Sequence, residues 1–147
     1  MKPSRSPILL LVEDDENDRI FFERAVRKTG FDWKVATAAT GREAVEFLSG
    51  AGKFSDREVH PAPTHVLLDL KLPEISGLEV LEWIRSQPSL ERLPVIVLSS
   101  SREPSDIDRA KGLGIDAYEV KPVEFSALVA TVRSIARRWR LDGAPIS

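Results

Sequence analysis

Thr64-His-Val-Leu-Leu-Asp-Leu-Lys-Leu-Pro-Glu-Ile-Ser-Gly77 is the stretch whose reading decides the fold. Val66 to Leu68 form a short apolar run, the pattern of a strand covered on both faces in a parallel sheet. Asp69 ends the run, and Pro73 and Gly77 punctuate the turn before a helical pattern resumes. In open parallel sheets, chemistry gathers beyond the carboxyl ends of the strands, and Asp69 is placed there. An aspartate after a strand is also a common turn former or helix cap. The other strand ends decide between these readings.

Upstream, Ile8 to Val12 is a second continuous apolar run, followed at once by Glu13, Asp14 and Asp15. A helix starts near Asp15 to Asn17, both good N-caps, with Phe21, Phe22, Ala25 and Val26 on its inner face and Gly30 as its stop. Trp33 to Ala38 makes another strand. Thr40 and Glu43 have the spacing of a capping box for a helix carrying Ala44, Val45, Phe47 and Leu48. From Ser49 to Pro63 the chain turns irregular, and this long connection reads as a solvated insertion.

Downstream, a third helix begins at Ser76 or Gly77, turns Leu78, Leu81 and Ile84 inward, and ends before Pro88. Pro94 to Leu98 is an apolar strand closed by Ser99-Ser-Ser101. A helix follows from Pro104 to Leu113, then a fifth strand from Ile115 to Val120 that runs into Lys121-Pro122. Phe125, Leu128, Val129, Val132, Ile135, Ala136 and Trp139 fall at helical spacing along the last helix. Five alternating strands and helices predict an α/β, flavodoxin-like (βα)5 doubly wound parallel sheet in the order 2-1-3-4-5. Its crevice lies between the first and third strands, which end at Glu13-Asp14 and at Asp69.

The 147 residues suit one domain with its own core. We expect a flexible N-terminus over 1–6, the domain over 7–140, a short tail over 141–147 and no output domain on this chain. The net charge of −2 offers no basic field for nucleic acid. Arg133, Arg137, Arg138 and Arg140 read as cations complementing a helix C-terminus rather than as a DNA-binding patch. The chain has no cysteine, which fits a reducing compartment, and shows neither a signal peptide nor a membrane span. A cytoplasmic location is the expectation.

The sheet thus brings Glu13, Asp14, Asp69, Ser99 and Lys121 to one edge. Each has a bland reading alone: an acidic helix start, a turn aspartate, a turn serine, a loop lysine. Their coincidence at successive strand ends is what favours a site. Three close carboxylates repel, so at least one should hold a proton unless a cation is present. Magnesium takes oxygen ligands and keeps several waters. Asp14 and Asp69 are the candidate direct ligands with the backbone carbonyl of Lys71, and Glu13 acts through water. Ser99 supplies a hydroxyl and Lys121 an ammonium suited to phosphate. The set specifies phosphoryl transfer onto Asp69.

On these residues the chain resembles the receiver domain of two-component response regulators. The resemblance rests on Ile8-Leu-Leu-Leu-Val-Glu-Asp-Asp15, Leu68-Asp-Leu-Lys-Leu-Pro-Glu-Ile-Ser-Gly77, Leu93-Pro-Val-Ile-Val-Leu-Ser99 and Ala117-Tyr-Glu-Val-Lys-Pro122, and covers roughly residues 7 to 140. It implies that Asp69 is the phosphoacceptor for a sensor histidine kinase, with Lys121 and Ser99 assisting. It implies switch roles for Ser99 and Tyr118, with the ring of Tyr118 turning inward on phosphorylation and changing the face made by the fourth helix, fifth strand and last helix. It implies that Lys71 and Ser101 tune the lifetime of the phosphate, and that Lys121-Pro122 is a cis peptide. The long connection and the last helix resemble the stand-alone regulators paired with phytochrome-type kinases, and a homodimer through the switch face is expected.

Readings from other classes remain open at this point. A magnesium phosphohydrolase with an aspartate nucleophile usually carries a second acid two residues on, where this chain has Lys71. A flavodoxin-like nucleotide or flavin binder would want a glycine-rich loop after the first strand, where this chain has Glu13-Asp14-Asp15. A phosphotransfer shuttle and a phosphate-independent scaffold are the remaining alternatives, and the scaffold predicts a broken site.

Overall fold

The computed structural model describes residues 6–143, so of the terminal segments expected at 1–6 and 141–147 all but 6 and 141–143 lie outside the described residues. In chain order the elements are β1 (Ile8–Val12), α1 (Glu16–Thr29), β2 (Lys34–Ala38), α2 (Gly41–Ser49), β3 (His65–Leu68), α3 (Gly77–Ser86), β4 (Val95–Ser99), α4 (Pro104–Gly112), β5 (Ala117–Val120) and α5 (Phe125–Trp139). All strand pairs are parallel, in the order β2-β1-β3-β4-β5, as the alternation predicted.

Side chains along a strand alternate between the two faces of a sheet, and here both faces are apolar and covered. Leu10, Val12, Val66, Leu68, Val95 and Val97 pack beneath α2, α3 and α4. Leu9, Leu11, Leu67, Ile96 and Leu98 pack beneath α1 and α5, with Phe22, Val26, Leu128, Val132 and Ile135. Each such side chain removed from water contributes about 1.5–3 kcal/mol. Continuous aliphatic runs are therefore what a doubly covered strand requires. Phe21 and Phe125 meet edge to face, with ring centroids 5.2 Å apart, where α1 lies against α5.

The helix starts follow their caps. Asp15 accepts from the Asp18 N–H at 3.0 Å and opens α1, and Gly30 closes it at φ 81°. At α2, Thr40 accepts from Glu43, but the Glu43 carboxylate reaches back to Ala39 rather than to Thr40. The reciprocal box stands instead at α3, between Ser76 and Glu79.

Three expectations need correction. The connection after α2 is not merely solvated: Gly52–Phe54 form a 3-10 turn, and Phe54 is 4% exposed. Its ring lies 4.6 Å from that of Phe47 and 5.1 Å from that of His60. The apolar demand of α2 is met partly from this loop. Next, the Lys121-Pro122 bond is trans, since no peptide among the described residues is cis; trans is the intrinsically favoured isomer by roughly 0.5–1 kcal/mol. Finally, Leu141 is not a tail residue. Its N–H donates to Ala136 and its carbonyl accepts from the Trp33 indole at 3.0 Å.

Candidate functional site

Among the described residues, the buried polar or charged side chains are Glu13, Asp69, Ser99 and Ser101, at 3%, 4%, 0% and 5% exposure. All four belong to the carboxyl-terminal end of the sheet. Placing such groups in an apolar core is costly unless each is paired. The pairing is complete, since no buried side-chain nitrogen or oxygen there is left without a partner.

Register brings them together. Val12 stands opposite Leu68, so the residues that follow, Glu13 and Asp69, leave adjacent strands side by side. The Asp69 N–H continues the ladder to the Val12 carbonyl at 3.1 Å, and the Lys121 N–H does the same to Ser99 at 2.9 Å. The Asp69 carboxylate then accepts from three donors. Its Oδ1 accepts from the Ser99 hydroxyl at 2.9 Å and from the Lys71 N–H at 3.0 Å, and its Oδ2 accepts from Lys121 Nζ at 2.8 Å. Lys121 also pairs with Glu13 and, at 3.1 Å, with Asp18.

Glu13 accepts a hydrogen bond from the Asp15 N–H at 3.1 Å. Its pKa is raised to about 7, first by burial and further by the Asp69 charge, against the opposing pull of Lys121 and of Asp15. Burial contributes more to this rise than repulsion from Asp69 does. Burial acts to lower the Lys121 pKa. Hydrogen bonds and attraction from Asp69 and Glu13 outweigh it and hold the ammonium above its ordinary range.

Carboxylate oxygens of Glu13, Asp14 and Asp69 lie within 4.8 Å of one another. Asp14 is exposed, at the open side of this group. Hard oxygen donors at this spacing, one facing solvent, fit a divalent cation that keeps part of its water shell. Gly77 sets the other wall. A Cβ there would stand 2.1 Å from the Asp69 carbonyl oxygen and 2.6 Å from the Leu70 Cα, so only glycine lets the start of α3 close on the Asp69 loop.

The structure brings Glu13, Asp14, Asp69, Ser99 and Lys121 into one cluster and sets Ser101 and Tyr118 beside it. Ser101 donates its N–H towards the Ser99 hydroxyl at 3.3 Å, and its carbonyl accepts from the Tyr118 hydroxyl at 2.8 Å. The ring of Tyr118 packs against the core on the α2–α4 side. Tyr118 is half-buried in this conformation, with its hydroxyl held by the Ser101 carbonyl.

Asp18 escaped the sequence reading. It sits at the third position after the Asp15 cap, so its side chain looks like another dipole-complementing acid of the first turn.

A model of the response regulator receiver domain matches residues 9–133. The probable methanogenesis regulatory protein FilR2 of Methanothrix harundinacea is 34% identical over 135 residues, 90% of this chain and 83% of that protein. The response regulator Rcp1 of Synechocystis sp. is 32% identical over 132 residues, 90% of this chain and 88% of its own. The crystal structure of Rcp1 in its Mn2+-bound form superposes with a TM-score of 0.82 at 30% identity, covering 96% and 99% of the two chains. That of the phosphorylated cyanobacterial phytochrome response regulator RcpA gives 0.85 at 32% identity, covering 97% and 100%.

Proposed function

The chain belongs to the response regulator receiver family of two-component signalling, and on that footing we propose that Asp69 accepts a phosphoryl group from the phosphohistidine of a sensor kinase. The carrying observation is the surroundings of Asp69: a buried carboxylate held by a hydroxyl, an N–H and an ammonium, beside two further acids. A carboxylate oxygen attacks phosphorus, the P–O bond forms, the P–N bond breaks, and the imidazole leaves with the electron pair. Lys121 and the Ser99 hydroxyl are positioned to follow the charge from the carboxylate onto the phosphoryl oxygens, so little reorganisation is needed.

Asp14, Asp69 and the Lys71 carbonyl would hold Mg2+, with Glu13 acting through water. The Mn2+-bound Rcp1 structure supports a divalent ion in this family. When bound, the ion supplies positive charge against that of the transferred group. Phytochrome-type kinases are the partner class supported by RcpA. We place output on the α4–β5–α5 face because Ser101 links the acceptor to Tyr118 on β5, and homodimerisation through that face belongs to the same reading.

Incubation with acetyl phosphate and Mg2+ should add one phosphoryl group by intact mass, and Asp69→Asn should abolish the gain. Continuous turnover of assorted phosphate esters without a stable adduct would instead make the chain a hydrolase.

A further inference from the structure

The polar contacts that leave Asp69 return to it. From Oδ1 they run to Ser99, then to the Ser101 N–H. The Ser101 hydroxyl donates to Asp106 Oδ2 at 2.7 Å and accepts from the Glu103 N–H at 3.3 Å. Asp106, in the first turn of α4, then faces the Lys71 ammonium at 3.6 Å. Lys71 closes the ring through its own N–H on Asp69 Oδ1. One carboxylate therefore ties the acceptor loop, by a cation, to the loop after β4, by a hydroxyl.

The two ties differ in strength. The Ser101 bond is short and its serine is buried, whereas the Lys71 side chain is 59% exposed and Asp106 23%. An exposed ion pair at this distance is weak and easily exchanged. The Lys71 stem is flexible and its backbone is anchored beside Asp69, so its ammonium can reach either carboxylate. Phosphorylation replaces the single charge of the Asp69 carboxylate with an acyl phosphate carrying about −1.5 to −2 charges, more than Asp106 offers.

We infer that Asp106 is a positioning residue that holds the Lys71 ammonium off the acceptor, and that a phosphorylated Asp69 takes this cation from it and unties the first turn of α4 from the acceptor loop. The inference rests on Asp69 being the acceptor. It gives Lys71 a second partner and makes the strength of the Lys71–Asp106 pair a determinant of how readily the phosphorylated state forms.

The probe is beryllofluoride with Mg2+, a non-covalent phosphoryl mimic, titrated against the full chain by amide NMR. Asp106→Asn keeps an oxygen for the Ser101 hydroxyl and removes the charge. It should tighten beryllofluoride binding by about two- to fivefold, the range expected for releasing an exposed pair. In a Lys71→Ala background the same substitution should change nothing, and Asp106→Glu should restore the original affinity. A purely structural role for Asp106 predicts the same effect in both backgrounds, and that result, or no tightening at all, overturns the inference alone. Failure of the unaltered chain to bind beryllofluoride overturns the reading of Asp69 and this inference with it.

Discussion

The two ends of the sheet spend their ionisable groups differently. At the carboxyl-terminal end, Lys121 is shared by Glu13, Asp18 and Asp69, side chain to side chain. At the opposite end, Arg85 gives its guanidinium to main-chain carbonyls: Leu113 at 2.8 Å, Gly114 at 3.0 Å, Glu91 at 3.1 Å and Leu93 at 2.8 Å. Trp139 donates to Asp116 at 2.7 Å and packs on His65, and Trp33 donates to Leu141. Charges paired with side chains can be redistributed when a ligand arrives. Charges consumed by the backbone fasten loops together. The same chemistry makes a site at one end and a clamp at the other.

This contrast can be broken by substitution. The largest effect should come from Lys121→Ala, which should slow phosphorylation by acetyl phosphate about 10²–10³-fold, as for loss of a preorganised charge in other sites. The fold should survive, because Glu13 can take up a proton in place of its lost partner. Circular dichroism and intact mass would check both halves, and normal phosphorylation would remove the ammonium from the mechanism.

A pH series sharpens the comparison next. The Glu13 pKa is raised to about 7 from an ordinary 4.5, so the folded chain binds this proton more tightly than the unfolded chain. That contribution is full below about 4.5 and is lost as pH rises to about 7. It is on the order of 3 kcal/mol. Burial lowers the His65 pKa from 6.5, with Asp116 opposing, so its contribution has the other sign and is lost as pH falls below 6.5. Urea unfolding in EDTA should show a falling stability from pH 5 to 7 that Glu13→Gln flattens. His65→Phe should make the net fall steeper.

The smallest effect should belong to the clamp. Arg85→Ala should cost about 2 kcal/mol of stability, since several charge-assisted bonds to partly solvated carbonyls are lost. It should leave phosphorylation of Asp69 at its original rate when assayed where the variant is folded. A site defect in this variant would show that the two ends are not separable.

Much of this was legible because strand ends are. Apolar runs ending in Glu13, Asp69, Ser99 and before Lys121 fix both the sheet and what it presents, since parallel strands all point one way. Contacts between elements were not legible. Asp106 looks like an ordinary first-turn acid, and only the placement of α4 against the Asp69 loop reveals Lys71 and Ser101 as its partners. Phe54 sits in a run of glycines and charges whose local pattern says solvent, and only the hollow beside Phe47 explains its burial. The spacing of Thr40 and Glu43 matched the capping pattern, while the Glu43 carboxylate accepts from the Ala39 N–H, one residue before the cap.

Gly77 carries a mechanical consequence. Main-chain atoms of Asp69 and Leu70 fill the space where any side chain at this position would stand, so the loop bearing the acceptor and the start of α3 are welded into a single stator. Opposite it, beyond the last ladder bond at the Ser99 carbonyl, the segment from Ser101 to Asp106 meets its neighbours through the hydroxyls of Ser101 and Tyr118 and one exposed ion pair. On the proposed function, a displacement that follows chemistry at Asp69 would show on the α4 side, since the start of α3 cannot part from the acceptor loop without carrying it along.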